Sequence, residues 1–230
     1  MDYVIDNKTK INVKYERLFP KLSKNKYKLL QIDQESISYI TTPNTAKEIS
    51  TIISQYAKIN NITIRTIVDC TACIGGDTLA LSKISDKVIS VEIDKKRCNM
   101  LKNNIDVYCL NNVIVINDDC INALGKIEDI TVAYFDPPWG GKGYKKSRLL
   151  TLDLSNVHIE DITRNLLDGK YNKNIPKMLV FKLPKNYDIE NFYTKVNIKE
   201  DVVIYLHQLK KLNIIIVINK KITGKYVSVY

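Results

Sequence analysis

The residues of this chain best equipped for chemistry are Asp136-Pro137-Pro138-Trp139, followed by Gly140-Gly141. The apolar, β-branched run Ile130–Phe135 before them reads as a strand, so the tetrad opens the loop at that strand's carboxyl end. Two consecutive prolines donate no backbone hydrogen bond and hold the chain extended, so the acid and the indole are presented stiffly. Open α/β sheets bind ligands at that end of their strands. The Asp136 carboxylate and the Pro137 carbonyl can both accept from the exocyclic NH2 of a flat base, while Trp139 stacks on its face. The competing reading is a rigid turn around a core Trp. A second set of residues, earlier in the chain, weighs against it.

That set begins at the end of an earlier apolar run, in Val68-Asp69-Cys70-Thr71-Ala72-Cys73-Ile74-Gly75-Gly76-Asp77. An acid at a strand tip, then a glycine turn into a helix, lets a ligand approach the backbone closely. Alone this is a weak signal. The next strand ends in Val91-Glu92-Ile93-Asp94, which puts Glu92 near the ~20-residue offset at which an acid reaches a ribose in nucleotide-binding folds. A third strand ends in Asp118-Asp119. Three acidic tips without a phosphate-binding lysine motif argue against ATP. They suit a cofactor with a ribose diol, an adenine amine and a positive charge, namely S-adenosylmethionine. For Asp94 and Asp118 the plainer expectation is a helix N-cap.

At 230 residues and 45% hydrophobic, the chain is long enough for one domain with a buried core plus a short extension. Its longest apolar runs, such as Leu212–Ile218, fall short of the ~18–20 residues of a membrane helix, and its first residues lack a signal pattern. An intracellular, soluble protein without a membrane partner is expected. The net charge is +10, spread over Lys8–Lys28, Lys142–Arg148, Lys170–Lys185 and Lys210–Lys225. Such a field favours a polyanion, although Lys, Ile and Asn richness also fits an AT-rich genome. Five cysteines, an odd number, argue for reduced thiols. Cys70 and Cys73 have CxxC spacing, but no second pair completes a zinc set, and the only histidines are His158 and His207. No metal is expected.

Alternating elements predict an α/β domain. Residues 1–40 read as irregular and basic. A helix starts at Thr42-Pro43, with Thr as N-cap and Pro at the first helical position, and buries Ala46, Ile49, Ile52, Ile53, Tyr56 and Ala57. Strands are expected at 64–69, 87–93, 113–117, 130–135, 178–183, 202–206 and 212–219. Helices are expected at 76–85, 95–110 and from about Val157, after a long loop over 136–150. The link Gln208-Leu209-Lys210-Lys211 is too short for a crossover, so the last two strands should pair antiparallel.

Together, the glycine turn, Val-Ile-Ser-Val-Glu-Ile-Asp and Asp-Pro-Pro-Trp-Gly-Gly resemble the class I methyltransferase domain of trimethylguanosine synthases, which methylate N2 of the 7-methylguanosine cap of RNA. The Trp followed by Gly-Gly, with Tyr144 just beyond, is more specific than the Asp-Pro-Pro core, which many amino-methyltransferases share. Tyr15-Glu16-Arg17-Leu18-Phe19, Ser38-Tyr39-Ile40-Thr41-Thr42-Pro43 and Phe181-Lys182-Leu183-Pro184-Lys185-Asn186 also resemble family segments, so the similarity runs from about residue 10 to 220. It implies a Rossmann-like, seven-stranded, mostly parallel sheet with an antiparallel final strand and helices on both faces. Residues 1–43 would form an extension covering the cofactor and cap sites, and 44–230 the core.

The resemblance also implies roles. Asp69, Gly75 and Gly76 would line the methionine end of the cofactor, Glu92 the ribose and Asp119 the adenine, with Phe19, Thr42 and Pro43 covering it and Asp136 touching it. Asp136, Pro137, Pro138 and Trp139 would form the catalytic loop. Trp139 would stack on the cationic 7-methylguanine, gaining a cation–π attraction of ~0.5–2 kcal/mol. Lys10, Tyr144 and Lys185 would lie near the cap phosphates, and Lys182 and Pro184 join the substrate-binding set. The chain departs from the family in having Cys73 at the first glycine of the turn, Lys185 for an Arg, and Asp136 where Ser is frequent. Cys73 must avoid φ > 0 or carry strain.

Guanine N2 is a poor nucleophile because its lone pair is delocalised, so positioning by Asp136 and the Pro137 carbonyl would supply most of the catalysis, with a proton lost during or after attack. Products would be S-adenosylhomocysteine and a di- or trimethylguanosine cap. Two alternatives share the motifs: an N6-adenine or N2-guanine methyltransferase acting on uncapped RNA or DNA, and a non-catalytic cap-binding subunit, which the Cys73 replacement favours. The expected partner is capped RNA, in the nucleus or cytoplasm or, for a viral protein, in the host cell.

Overall fold

The computed structural model describes residues 3–6, 9–12, 15–172, 174–196 and 201–223. Seven strands form the central sheet: β1 (Thr66–Asp69), β2 (Lys87–Val91), β3 (Val113–Ile116), β4 (Val132–Phe135), β5 (Met178–Pro184), β6 (Val202–Gln208) and β7 (Leu212–Asn219). Their spatial order is β6-β7-β5-β4-β1-β2-β3. β1 pairs parallel with β2 and β4, β2 with β3, and β4 with β5. β7 runs antiparallel to both neighbours, β5 and β6. The mostly parallel sheet with an antiparallel final strand is therefore present, including the hairpin across the short Gln208–Lys211 link.

The helices of the core are α1 (Pro43–Ile59), α2 (Thr78–Leu81), α3 (Lys95–Val107), α4 (Cys120–Leu124), α5 (Ile159–Leu167) and α6 (Ile189–Val196). β1, β4, β5 and β7 are buried along their whole length, as central strands covered on both faces must be. Alternate residues sort onto the two faces. Val68, Ala133, Phe135, Leu179, Phe181 and Ile215 pack with α4, α5 and α6. Ile67, Val132, Tyr134, Val180 and Ile216 pack with α1 through Ile49, Ile52, Ile53 and Ala57. A third cluster joins residues of the amino-terminal segment, Phe19, Tyr27, Leu30, Ile32 and Ile40, to Ala72 and Ile74 of the loop after β1 and to Met100, Leu101 and Ile105 of α3.

The amino-terminal part differs from the irregular chain expected. Tyr3–Asp6 and Thr9–Asn12 pair antiparallel, and single helical turns occupy Tyr15–Leu18, Lys24–Tyr27 and Ser36–Tyr39. Such turns are too short to impose a periodicity on the sequence. The helix expected over 76–85 is confined to Thr78–Leu81, and the loop after β4 contains a 3₁₀ helix at Gly141–Lys146. Neither α4 nor α6 was foreseen. No described helix is long and apolar enough to cross a membrane.

Candidate active site

The parallel pairing gathers the carboxyl ends of β1, β2 and β4. Asp69, the last residue of β1, lies opposite Ser90 of β2 and Tyr134 of β4. It is fully buried, and its Oδ2 accepts the Thr78 hydroxyl at 2.6 Å, which lies 3.0 Å from Ser90 Oγ. Burial, reinforced by the nearby Asp77, pushes the Asp69 carboxyl up to about 7.

The turn after β1 is shaped for close approach. Gly75 has φ +103°, and a Cβ there would lie 2.9 Å from Leu101 Cδ1. At Gly76 a Cβ would meet Ile40 Cγ1 at 2.8 Å and the Thr41 backbone N and O at 3.0 Å. The absent side chain is what lets the amino-terminal segment lie against the turn. Cys73 adopts φ 49°, the left-handed conformation that glycine tolerates and a thiol side chain does not favour, so the strained option is the one realised. Its backbone N–H donates to Glu92 Oε2 at 2.8 Å, and its thiol, pushed up to about 11 mainly by burial, lies 3.6 Å from Ser36 Oγ.

Glu92 uses its other oxygen to accept the Asp94 N–H at 2.8 Å, which fixes the carboxylate at the tip of β2. Burial raises its pKa against these hydrogen bonds. Each carboxylate oxygen retains a second lone-pair direction for a ribose hydroxyl. Asp94 is the N-cap of α3, accepting Arg97 N–H at 2.8 Å. The corresponding cap of α4 is Asp119 rather than Asp118: Asp119 Oδ1 accepts Ile121 N–H at 2.8 Å, whereas Asp118 pairs with Lys126. The Ser155 hydroxyl donates to the other Asp119 oxygen.

At the tip of β4, the Asp136 N–H donates to Thr71 Oγ1 at 2.8 Å, tying the two strand-tip loops together. Its Oδ2 accepts from Lys182 Nζ at 2.5 Å. Burial pushes the Asp136 carboxyl up to about 6, with the Lys182 charge pulling the other way. Lys182, which the resemblance puts in the substrate-binding set, is only 5% exposed and its ammonium is engaged inside the protein. Its ammonium also donates to Thr41 Oγ1 at 2.6 Å and lies 3.7 Å from Asp77 Oδ2. Thr41 in turn donates its proton to Asp77 Oδ2 at 2.6 Å. Burial opposes the Lys182 charge, but Asp136, Asp77 and Asp69 outweigh it and hold the ammonium above its ordinary range.

Trp139 is half-buried, with Tyr144 edge-on to its ring at 5.4 Å and 75° and Lys182 Nζ 5.8 Å from its centre. Its Nε1 is buried without a hydrogen-bond acceptor among the described residues. Asn186 pins the loop by donating to the carbonyls of Tyr144 and Ser147, each at 2.8 Å. Pro137 is buried and Pro138 exposed. Pro184 is buried, while Lys185 is exposed and donates to Asn213 Oδ1 at 3.1 Å.

The remaining expected residues are placed as follows. Phe19 is 1% exposed, inside the cluster that supports the turn after β1. Thr42 holds the N-cap position of α1 with Pro43 after it, but its hydroxyl bonds Thr45 Oγ1 at 3.0 Å rather than a backbone N–H. Lys10 lies in the strand Thr9–Asn12, and its side chain falls outside the described residues. Thr41 and Asp77 were missed from sequence. Asp77 follows the glycines and looks like an N-cap; it occupies that position of α2 without capping it and faces Lys182 instead.

Three carboxylates, Asp69, Asp77 and Asp136, thus surround a single ammonium, and Asp77 Oδ1 is buried without a partner among the described residues. That excess suits a ligand carrying positive charge, and a sulfonium cofactor fits it. The described residues hold no grouping of three His, Cys, Asp or Glu side chains able to bind a metal.

A family model described as RNA cap guanine-N2 methyltransferase matches residues 64–228. An uncharacterized protein of Acanthamoeba polyphaga mimivirus is 31% identical over 222 residues, covering 87% of this chain and 83% of that one. The trimethylguanosine synthase of Schizosaccharomyces pombe is 27% identical over 130 residues, 54% of this chain and 52% of the synthase. Among solved structures, a methyltransferase from Geobacter sulfurreducens superposes with TM-score 0.55 at 10% identity, covering 84% of this chain and 92% of its own. An rRNA methylase from Streptococcus thermophilus gives TM-score 0.51 at 14% identity, covering 78% and 98%. These two likenesses speak to the fold alone.

Proposed function

The chain belongs to the RNA cap guanine-N2 methyltransferase family, and from that premise we propose that it methylates N2 of the 7-methylguanosine cap of RNA. The coarser assignment, an S-adenosylmethionine-dependent methyltransferase of class I fold, follows from the family and the sheet topology. The observation that carries the finer one is that the loop after β4 presents Asp136 and Trp139 on either side of a proline pair, beside a cluster of three carboxylates around one ammonium. Guanine methylated at N7 is cationic. An indole face and surplus negative charge both reward that charge, and neither rewards a neutral base comparably.

When bound, S-adenosylmethionine supplies an electrophilic methyl group on a positively charged sulfur. Asp69, Gly75, Gly76, Glu92 and Asp119 are the residues that would hold it, with the glycine turn against its amino-acid end and Glu92 against the ribose. Asp136 and the Pro137 carbonyl accept from N2–H and orient the amine. Asp136 is also placed to take the departing proton. Exposed Lys145, Lys146 and Lys185 border the loop, where RNA phosphates would pass. The likeness to a mimivirus protein fits a viral source and action in a host cell.

The test is incubation with S-adenosylmethionine and either 7-methylguanosine or guanosine cap analogues, followed by mass measurement. Only the 7-methylated analogue is expected to gain mass, by one CH2 for each methyl transferred. Equal turnover of both analogues would move the substrate to uncapped guanine or adenine. Cap binding without turnover would leave a cap-binding subunit.

A further inference from the structure

We infer that Lys182 is a positioning residue for methyl transfer: through its ion pair it keeps Asp136 aimed and able to accept a proton, and Thr41 locks it there. The inference rests on the methyl-acceptor reading above and deepens it. The geometry is specific. Lys182 projects from β5 into the space between the tips of β1 and β4, where its ammonium meets Asp136, Thr41 and Asp77. With 5% exposure it has no path to an RNA phosphate.

The groups facing this ammonium come from every neighbouring element. Asp136 stands on the loop after β4, Asp77 at the start of α2, Asp69 at the tip of β1 and Thr41 on the amino-terminal segment. Tyr134 of β4 is fully buried among the same carboxylates, which together with burial hold its hydroxyl protonated well beyond the usual range. Lys182 is the single cation in this set. Without it three carboxylates share a low-dielectric space, and like charges so placed cannot all stay ionised. Asp136, whose side chain is 18% exposed against 10% for Asp77, is the most exposed of the three and the one bonded directly to the ammonium at 2.5 Å, so loss of Lys182 lets it take up a proton at higher pH. Once protonated, it can no longer take one from the substrate.

The proton count requires that capacity. As the N2 lone pair forms the bond to the methyl carbon, the carbon–sulfur pair returns to sulfur and cancels its charge. N2 then carries the positive charge and sheds one proton, which passes to the Asp136 carboxylate and on to water. Thr41 fixes the geometry by accepting from Lys182 and donating to Asp77. Its own backbone is held against Gly76, where no Cβ intervenes.

The experiment compares wild type, Lys182→Met, Asp136→Asn and the double variant, following kcat and KM against pH with 7-methylguanosine cap analogue. Lys182→Met is expected to lower kcat at pH 7 by about tenfold to a thousandfold, within the range of general-base effects, with a much smaller change in cap KM. The acid limb of its profile should move to higher pH by one unit or more. In the Asp136→Asn background, removing Lys182 should add little, since there is no charge left to hold. An unmoved acid limb, or fully additive losses, overturns the inference. Should Lys182→Met fail to fold, Thr41→Val carries the test: a smaller shift in the same direction, reversed in Thr41→Ser, is expected, and no shift overturns it. The Asp136 carboxyl ¹³C titration in cofactor-free protein reads the same shift without substrate. It therefore separates failure of this inference from failure of the cap assignment.

Discussion

Replacing Asp69 by Asn should make the cofactor-free protein more stable, and increasingly so as the pH rises. Asp69 is fully buried at the tip of β1, and its carboxyl stands at about 7 against an ordinary 3.8. The folded state therefore holds a proton that the unfolded chain has released throughout the interval between those values. Stability falls with pH wherever the native state binds more protons, so the penalty is absent below about pH 4, grows through the interval and is complete above about pH 7. A shift of about three units corresponds to at most ~4 kcal/mol, and coupling to Asp77 leaves ~2–4 kcal/mol as the working range. Asn removes the charge yet can still accept the Thr78 hydroxyl through its amide oxygen. Urea unfolding of both proteins from pH 4 to pH 8 measures this directly. The difference should rise from near zero to that range with m-values unchanged. A difference that does not vary with pH would show that Asp69 is not the strained carboxylate described, whatever its sign.

Four further predictions concern the loops around it. Gly76→Ala should destabilise by about 1–3 kcal/mol and weaken S-adenosylmethionine binding, because its Cβ meets the Thr41 backbone, whereas Cys73→Gly should leave stability within about 1 kcal/mol of wild type as relief of φ 49° offsets the entropy of glycine. Urea melts and calorimetry check both, and a harmless Gly76→Ala would place the amino-terminal segment elsewhere. Glu92→Gln should bind the cofactor at least tenfold more weakly and lose some stability, since its NH2 cannot accept one of the Cys73 and Asp94 N–H groups, while Glu92→Ala leaves both unpaired and should lose more; unchanged cofactor affinity in Gln would put the ribose reader elsewhere. Trp139→Ala should cost about 1–3 kcal/mol of cap affinity, measured by fluorescence-independent calorimetry, and an intact affinity in a folded protein would make Trp139 a core residue.

The strands were legible because their signal is local: continuous apolar runs with acids at their tips. Helix α1 was legible through Thr42-Pro43 and its periodic isoleucines. What the sequence concealed lies in contacts between distant positions. Thr41 meets Asp77 across 36 residues and Lys182 across 141, and no periodicity records such meetings. The resemblance of Phe181–Asn186 to a family segment implies substrate binding for Lys182; a strand buried on both faces holds it inside instead. Helix α6 escaped because it spans only eight residues, with Phe192 and Val196 as its buried positions, too few to set a period. Its start was readable in retrospect from Asp188, whose carboxylate accepts the Asn191 N–H at 3.0 Å.

The amino-terminal segment shares its apolar cluster with the turn that would receive the cofactor, and Thr41 joins it to Lys182. Docking of the segment and occupation of the site are then two readings of one equilibrium. A ligand that binds only the docked arrangement lowers the ratio of open to docked segment by a factor that grows with its free concentration relative to its dissociation constant. Amide hydrogens of Ile40 and Gln31, whose partners are Ser36 O and Asn104 Oδ1, would therefore report cofactor concentration in their exchange rates although they lie outside the sheet. The segment becomes a built-in gauge of how full the site is.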